Sequence, residues 1–215
     1  MSLIAQELFG GADLSAFSNG RLDNSSTPNT WTQIAAGLFG GSTQGSAVIA
    51  AGSPNKVRQG SAVTGSATGW LNSAVCGGSN LSDYDVQMDF NVITVGVQDY
   101  GGLIIGANTT DGKRYEVSAF PNGTLNIQKT DAGGTGVTLA TVSGVFTAAG
   151  VVTIGFRRRI VGGNAVLTGF VNGTQAVTVT DSTTPYITAG FGGWYIYNNG
   201  SGTPAANKSI LFSAF

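Results

Sequence analysis

The sequence contains no histidine and a single cysteine among its 215 residues. Without histidine, the chain lacks the side chain that most often serves as a general base, a zinc ligand or the activator of a nucleophile. Cys76 has no second cysteine with which to form an internal disulfide and no imidazole to activate it. We therefore interpret Cys76 as a small core residue, and enzyme classes that depend on histidine are excluded.

Charge is also scarce, since charged residues make up 10% of the chain, whereas a typical soluble domain has about 25%. The net charge of −1 gives no overall field that would attract nucleic acid or an anionic membrane, so we expect neither as a partner. The only basic run is Arg157-Arg158-Arg159. We interpret it as a solvated strand end with alternate arginines on opposite faces. An anchor for carboxylates or phosphates of a partner is the alternative.

Targeting signals are missing from the sequence as well. Residues 1–9 show neither a basic segment nor an apolar run, so we expect no signal peptide and synthesis in the cytoplasm. No stretch approaches the roughly 18 apolar residues of a membrane span.

What the chain does contain is glycine, 34 residues in all, much of it placed where tight hairpin turns need it. Asn-Gly and Asp-Gly pairs between short alternating runs are the strongest local signal for a β-hairpin. The pairs that carry this signal or resemble it are Asp111-Gly112, Asn122-Gly123, Gly133-Gly134, Gly162-Gly163 and Asn172-Gly173. We interpret Asn122-Gly123 and Asn172-Gly173 as the same turn used twice. The pattern predicts an antiparallel all-β sandwich occupying residues 1–215 as one domain.

Alternation with period two places the strands. Tyr84–Val92 is the clearest, with apolar residues on one face and polar residues on the other. Residues 102–107 read as a central strand buried on both faces, and residues 54–69 as a long surface excursion. The N-terminal strand 3–9 is expected beside the C-terminal strand 210–215. The other predicted strands are 30–34, 47–51, 70–75, 114–120, 124–129, 137–142, 151–157, 165–171, 174–179 and 189–197.

The order of these strands resembles the concanavalin A-like lectin/glucanase jelly roll in its laminin G-like form. The resemblance rests on the succession of strands and turns over nearly the whole chain, from the Trp31 strand through Tyr84-Asp85-Val86 and Gly101–Ile105 to Ala189–Gly193. It implies two curved antiparallel sheets packed face to face. Members bind sugars, hydrolyse glycans or are purely structural, and some are components of phage heads and tails.

Hydrolysis of glycosides needs two carboxyl groups across the scissile bond. The hydrolases of this superfamily carry Glu-x-Asp-x-x-Glu on one strand, whereas this chain has only Glu7 and Glu116. The nearest substitute is Asp85-x-x-x-Asp89, which follows Asp83 on the same strand face. Asp85 and Asp89 are therefore candidate ligand-binding residues, and a solvated polar row is the alternative. We expect no catalytic residues.

The densest aromatic segment, residues 193–199, is a candidate sugar platform. Alternation puts Trp194 and Ile196 on one face and Tyr195 and Tyr197 on the other, with one pair in the core. Trp194, Tyr195 and Tyr197 are thus the candidate aromatic ligand contacts. The resemblance also implies that a calcium ion could bind at the rim of the sandwich, where the loop residues concerned are Asp99, Asp111, Asp181 and Asn108. The sequence has no dense Asp-x-Asp-x-Asp loop of the kind that binds calcium. We expect no other metal or cofactor.

The sequence therefore predicts a non-enzymatic virion component of a phage, either a capsid decoration or a tail protein. Its expected partners are other virion proteins, further copies of itself in a dimer or trimer, and cell-surface glycans. A carbohydrate-binding module is the alternative, and a glycoside hydrolase or lyase is the third hypothesis.

Overall fold

The computed structural model describes residues 31–34, 43–44, 47–50, 56–59, 66–72, 83–92, 100–108, 110–147, 150–185, 190–198 and 209–211. The predicted N-terminal strand 3–9 and the residues Glu7, Cys76 and Asp99 lie outside this set. Within it, no helix is long and apolar enough to span a membrane.

Every regular element among the described residues is a strand. The strands are β1 (Trp31–Gln33), β2 (Thr43–Gln44), β3 (Ala47–Ala50), β4 (Lys56–Gln59), β5 (Ser66–Asn72), β6 (Tyr84–Val92), β7 (Tyr100–Ala107), β8 (Arg114–Ala119), β9 (Leu125–Thr130), β10 (Gly136–Val142), β11 (Gly150–Val161), β12 (Asn164–Val171), β13 (Thr174–Asp181), β14 (Phe191–Asn198) and β15 (Ser209–Leu211).

The strands form two sheets. The eight-stranded sheet has the order β1-β5-β14-β7-β8-β9-β10, and β2 adds to it by a short parallel pairing with β5. The seven-stranded sheet has the order β13-β12-β11-β6-β15-β4-β3. All other pairings are antiparallel. The prediction of an antiparallel two-sheet sandwich is confirmed.

Glycine turns join consecutive strands where the sequence predicts them. At Gly162-Gly163 and at Asn172-Gly173 both residues have positive φ, which is the geometry of a two-residue hairpin turn. At Asn122-Gly123 only the glycine has positive φ, and the Gly123 N–H donates to the Phe120 carbonyl at 3.0 Å. The interpretation of one turn used twice is therefore wrong, because Pro121 sets up a longer turn at the first site.

One hydrophobic core fills the space between the sheets. The seven-stranded sheet contributes Met88, Phe90, Ile154, Phe156 and Leu167, all buried. The eight-stranded sheet contributes Leu103, Ile105, Val117, Leu125, Ile127, Trp194 and Ile196. The alternation predicted for β6 is confirmed, since Val86, Met88 and Phe90 are buried while the intervening polar residues are half-buried. β7 is buried along its length after Tyr100, as expected for a central strand.

Two expectations need correction, and a third lies partly outside the described residues. Residues 54–69 are not a simple excursion, because β4 and the start of β5 lie within them. The C-terminal strand β15 lies between β6 and β4, and its expected neighbour, residues 3–9, lies outside the described residues. The basic run is not a solvated strand end: β11 continues to Val161, and the Arg158 side chain is fully buried.

Candidate functional site

The candidate site lies on the outer face of the eight-stranded sheet, which faces away from the inter-sheet core. A second cluster of buried residues, which includes Ile34, Ile104 and Tyr195, covers part of this face. Strand register places outer-face residues in rows across β14, β7, β8, β9 and β10. One row runs Tyr195, Gly102, Ser118, Asn126 and Thr141, and the next runs Gly193, Ile104, Glu116, Gln128 and Thr138. Beyond it, Arg114 lies opposite Thr130. Polar side chains thus follow β8 and β9 side by side.

At one end of these rows lies a cluster of rings, here called the aromatic group: Tyr100, Phe120, Tyr195 and Tyr197. The Tyr100 ring centroid is 4.5 Å from that of Phe120 and 5.0 Å from that of Tyr197, with interplanar angles near 30°. It meets Tyr195 edge-on at 6.2 Å. Tyr100, Phe120 and Tyr197 are half-buried, so each keeps part of its ring accessible. Partly exposed aromatic rings of this kind stack against apolar faces of ligands.

Tyr195 holds the aromatic group to the sheet. Its hydroxyl shares a 2.5 Å hydrogen bond with the Ser118 hydroxyl, and its ring lies over Gly102. A Cβ atom at residue 102 would come within 2.5 Å of the Tyr195 ring, so glycine is needed there for close approach. Burial, assisted by the Glu116 carboxylate, raises the pKa of both Tyr195 and Tyr100. Both hydroxyls therefore stay protonated and able to donate hydrogen bonds.

Three side chains of β9, here called the polar row, line the outer face beside Ser118, Glu116 and Arg114: Asn126, Gln128 and Thr130. Gln128 Nε2 donates to Thr138 Oγ1 at 3.3 Å. Asn126 Oδ1 and Thr130 Oγ1 are buried and have no hydrogen-bond partner among the described residues. Buried polar atoms are nearly always hydrogen-bonded in native proteins. Asn126 and Thr130 therefore place two buried oxygen atoms without a hydrogen-bond donor, in the described part of the chain, on one strand face.

A buried ion pair lies next to the polar row. Arg114 Nε donates to Glu116 Oε2 at 2.8 Å, and Arg114 Nη1 donates to the Gly112 carbonyl at 2.9 Å. The side chains of Arg114 and Glu116 are 3% and 9% exposed. Glu116 is the only carboxylate in the described strands of the eight-stranded sheet. Its contact with Arg114 makes it a structural acceptor, with no second carboxylate opposite it on these strands.

The structure separates the predicted aromatic ligand contacts. Trp194 and Ile196 face the core and Tyr195 and Tyr197 face outward, as alternation predicts. Trp194 is 0% exposed and Tyr195 is 3% exposed. Trp194 therefore does not offer a stacking surface, because its ring is packed between the sheets. Tyr197 belongs to the accessible part of the aromatic group, and its contact with a ligand stays a prediction.

The predicted acidic residues lie elsewhere, on the outer face of the seven-stranded sheet, where they connect β6 to β11. Asp85 accepts hydrogen bonds from Arg157 and lies 2.9 Å from Arg159 Nη2. Burial alone would raise the pKa of Asp85, but the hydrogen bonds and charges of the two arginines hold it below its usual range. Asp89 Oδ1 accepts the Thr153 hydroxyl at 2.6 Å. Asp85 and Asp89 thus connect β6 to β11 through an ion pair and a hydrogen bond, and their contact with a ligand stays a prediction.

The loop residues considered for calcium are not gathered either. Asp111 pairs with Lys113 at 3.2 Å, and Asn108 Oδ1 accepts the Thr110 N–H at 2.7 Å. Asp181 is buried at the edge of the core, where Lys129 and Tyr115 contact it. Among the described residues, no group of three potential metal ligands is present.

Most of the candidate site was not predicted from the sequence. Tyr100, Phe120 and the polar row carry no motif of their own. A signal did exist, because the β8–β9 hairpin at Asn122-Gly123 implies that alternate polar residues of the two strands lie opposite each other. Pairing Ser118 with Asn126 across that hairpin would have indicated the polar face.

No protein-family model matches this chain, and no curated protein sequence is significantly similar to it. Solved structures do resemble it. A Bacillus subtilis protein with a galectin-like fold superimposes with a TM-score of 0.55 at 13% identity, over 95% of this chain and 96% of that one. The chain has the concanavalin A-like jelly-roll fold. Two other jelly rolls superimpose with TM-scores of 0.54: the carbohydrate-binding module CBM66 from Bacillus subtilis, at 13% identity over 86% of this chain and 92% of that one, and an endo-1,3-beta-glucanase from Streptomyces sioyaensis, at 12% identity over 98% and 93%.

Proposed function

We propose that this chain is a glycan-binding module that acts without bond cleavage, and that its contact surface is the outer face of the eight-stranded sheet. The observation that carries the proposal is the combination, on one face, of the aromatic group with two unpartnered oxygen atoms of the polar row. A sugar ring presents an apolar face that stacks on aromatic rings and hydroxyl groups that donate to amide and hydroxyl oxygens. The similarity to a carbohydrate-binding module supports this proposal.

The absence of catalysis is part of the proposal. Glycoside hydrolysis requires an acid and a second carboxylate on opposite sides of the scissile bond. The described strands of the eight-stranded sheet hold one carboxylate, Glu116, and Arg114 binds it at 2.8 Å.

The setting proposed for this module is the surface of a phage particle, where it would bind other virion proteins and cell-surface glycans. The charge-poor composition supports this part of the proposal. Proteomic detection of the chain in purified particles would test it. Its absence from particles would remove the virion setting and leave the glycan-binding site to be tested separately.

The binding experiment is a glycan array followed by calorimetry with the strongest glycan found. Phe120→Ala removes a ring of the aromatic group, and Asn126→Ala removes the unpartnered Oδ1 atom of residue 126. We expect each to weaken binding by roughly threefold to tenfold, since an aromatic stacking contact contributes about 0.5–1.5 kcal/mol and a hydrogen bond about 1 kcal/mol.

Phe170→Ala is the matched control. Phe170 is a half-buried phenylalanine on the outer face of the seven-stranded sheet, where Arg157 lies 4.8 Å from its ring centroid. It should leave glycan affinity unchanged. Binding that Phe170→Ala weakens as much as Phe120→Ala would contradict the assignment of the face, as would an array without any bound glycan. Glycan cleavage that disappears in Glu116→Gln would contradict the non-catalytic part.

A further inference from the structure

The edge strand β13 is long, exposed and free of charge along the part that faces outward. Among the described strands, β13 pairs with β12 alone and ends the seven-stranded sheet. Its residues from Thr174 to Thr180 are uncharged and contain no proline. The only charged residue, Asp181, is buried and bound to Lys129. Natural proteins usually protect edge strands with charges, proline, bulges or short length, because unpaired backbone groups on an edge recruit further strands.

The other sheet edges carry such protection. β1 and β3, which end the two sheets on the opposite side, are three and four residues long. β10 lies at the other edge of the eight-stranded sheet, but a register shift between Thr138 and Ala140 interrupts it near its middle. Bulges of this kind twist an edge away from a regular partner. In β13 the register shift lies nearer its start, and the residues from Val177 to Asp181 pair with β12 without interruption.

From these observations we propose that β13 pairs with β13 of a second copy of this chain, in antiparallel orientation about a twofold axis. We choose a second copy as the partner because the β13 strand can pair with itself. With Thr178 opposite its own equivalent, Val177 lies opposite Val179 of the other copy, and no like charges meet. Threonine pairs and pairs of β-branched residues are favourable across antiparallel strands.

The burial of the strand agrees with this register. Thr178 and Thr180 are exposed on the outer face, while Val177 and Val179 contact the core and remain only partly buried. A paired strand would cover the exposed parts of both valines. The two seven-stranded sheets would join into one continuous sheet, and an isologous contact of this type closes after two subunits. The contact uses the seven-stranded sheet and involves no residue of the candidate site on the eight-stranded sheet.

Analytical ultracentrifugation of the whole chain over a range of concentrations tests the proposal. We expect a monomer–dimer equilibrium. Thr178→Lys combined with Thr180→Lys places like charges near the twofold axis and should raise the dimer dissociation constant by about tenfold or more. Thr141→Lys, an exposed threonine on the other long edge strand β10, is the matched control and should leave the constant unchanged.

A second variant tests the register even if the lysine variants fold poorly. Thr178→Cys in a Cys76→Ser background should form a disulfide-linked dimer on mild oxidation, because the two Cα atoms at the axis lie within disulfide range in antiparallel strands. A chain that stays monomeric at all concentrations overturns the proposal. A dimer whose dissociation constant is unchanged by Thr178→Lys with Thr180→Lys, or is raised by Thr141→Lys, also overturns it. So does a dimer that forms no disulfide through residue 178, and so does a closed trimer.

Discussion

Replacing Asp181 with asparagine removes the negative charge from a buried network at the edge of the inter-sheet core. The Asp181 carboxylate accepts the Tyr115 hydroxyl at 2.6 Å, lies 2.9 Å from Lys129 Nζ, and accepts the Thr183 hydroxyl at 2.7 Å. The side chains of Asp181 and Lys129 are 1% and 11% exposed. The substitution keeps the size of the side chain but removes the ion pair between residue 181 and Lys129.

The pKa of Asp181 gives the size of the effect. Burial alone would raise this pKa, but the hydrogen bonds from Lys129, Tyr115 and Thr183 outweigh burial and lower it to about 2, from an ordinary value of 3.8. A difference of this size contributes roughly 2 kcal/mol to the free energy of unfolding at neutral pH. Because the loss of a buried ion pair adds to this cost, we expect Asp181→Asn to lower the free energy of unfolding by about 3 kcal/mol. For a chain of this length the melting temperature should then fall by about 6–12 °C.

The pH dependence follows from the sign of the change. A carboxylate whose pKa is lowered by folding contributes its full stabilisation above the pKa of the unfolded chain, near 4, and loses it as the pH falls toward 2. Urea denaturation of the wild type from pH 7 to pH 2 should therefore show a loss of roughly 2 kcal/mol below pH 4 that Asp181→Asn lacks. If the free energies of unfolding of the two proteins change with pH in parallel over this range, the reasoning is refuted.

A double-mutant cycle provides the control. Combining Asp181→Asn with Lys129→Met should give a coupling energy of about 1–3 kcal/mol, because the two groups touch and are buried. The same cycle on Asp111 and Lys113 uses a lysine–aspartate pair whose side chains are 32% and 43% exposed. Exposed pairs contribute at most about 1 kcal/mol, so equal couplings in the two cycles would also contradict the assignment.

Two further predictions concern stability and binding. Gly106→Ala should reduce the free energy of unfolding by roughly 2–4 kcal/mol in chemical denaturation, because φ is +67° and the new methyl group would collide with the Arg158 guanidinium. Gly163→Ala is the control: φ there is +82°, the space around it is open, and the cost should be only about 1 kcal/mol. Equal losses of stability in the two variants would contradict the collision. Asp85→Asn with Asp89→Asn should lower stability by roughly 1–2 kcal/mol without changing glycan affinity in calorimetry, and a loss of affinity would return these residues to the candidate site.

The fold could be predicted from the sequence because its signals are local. The alternation along β6 specifies both the strand and its buried face, and the glycine pairs specify hairpins between neighbouring strands. The structural resemblance to other jelly rolls confirms the predicted fold at identities of 13% and below for the structures compared. Turn geometry was less predictable, because the proline before Asn122 changes the conformation that the same Asn-Gly pair adopts after Val171.

The candidate site was largely unpredicted because it depends on contacts between strands distant in the sequence. Alternation assigns Arg114, Glu116 and Ser118 to a polar face, and such a face is usually solvated, yet these residues are 3%, 7% and 0% exposed. Likewise, Trp194 and Tyr195 point in opposite directions and are both buried. Periodicity indicates which residues share a face, whereas burial depends on what packs against that face.

The two-residue turns at the ends of β12 have a practical consequence. Val161 and Thr174 are exposed beside the turns at Gly162-Gly163 and Asn172-Gly173, and their partners in the ladder, Asn164 and Val171, are seven residues apart, or about 24 Å along a strand. A donor and an acceptor fluorophore attached at residues 161 and 174 would therefore sit at a separation suited to resonance energy transfer. The efficiency of energy transfer between the two labels would then report the distance between them, and it would change when strands β11, β12 and β13 separate.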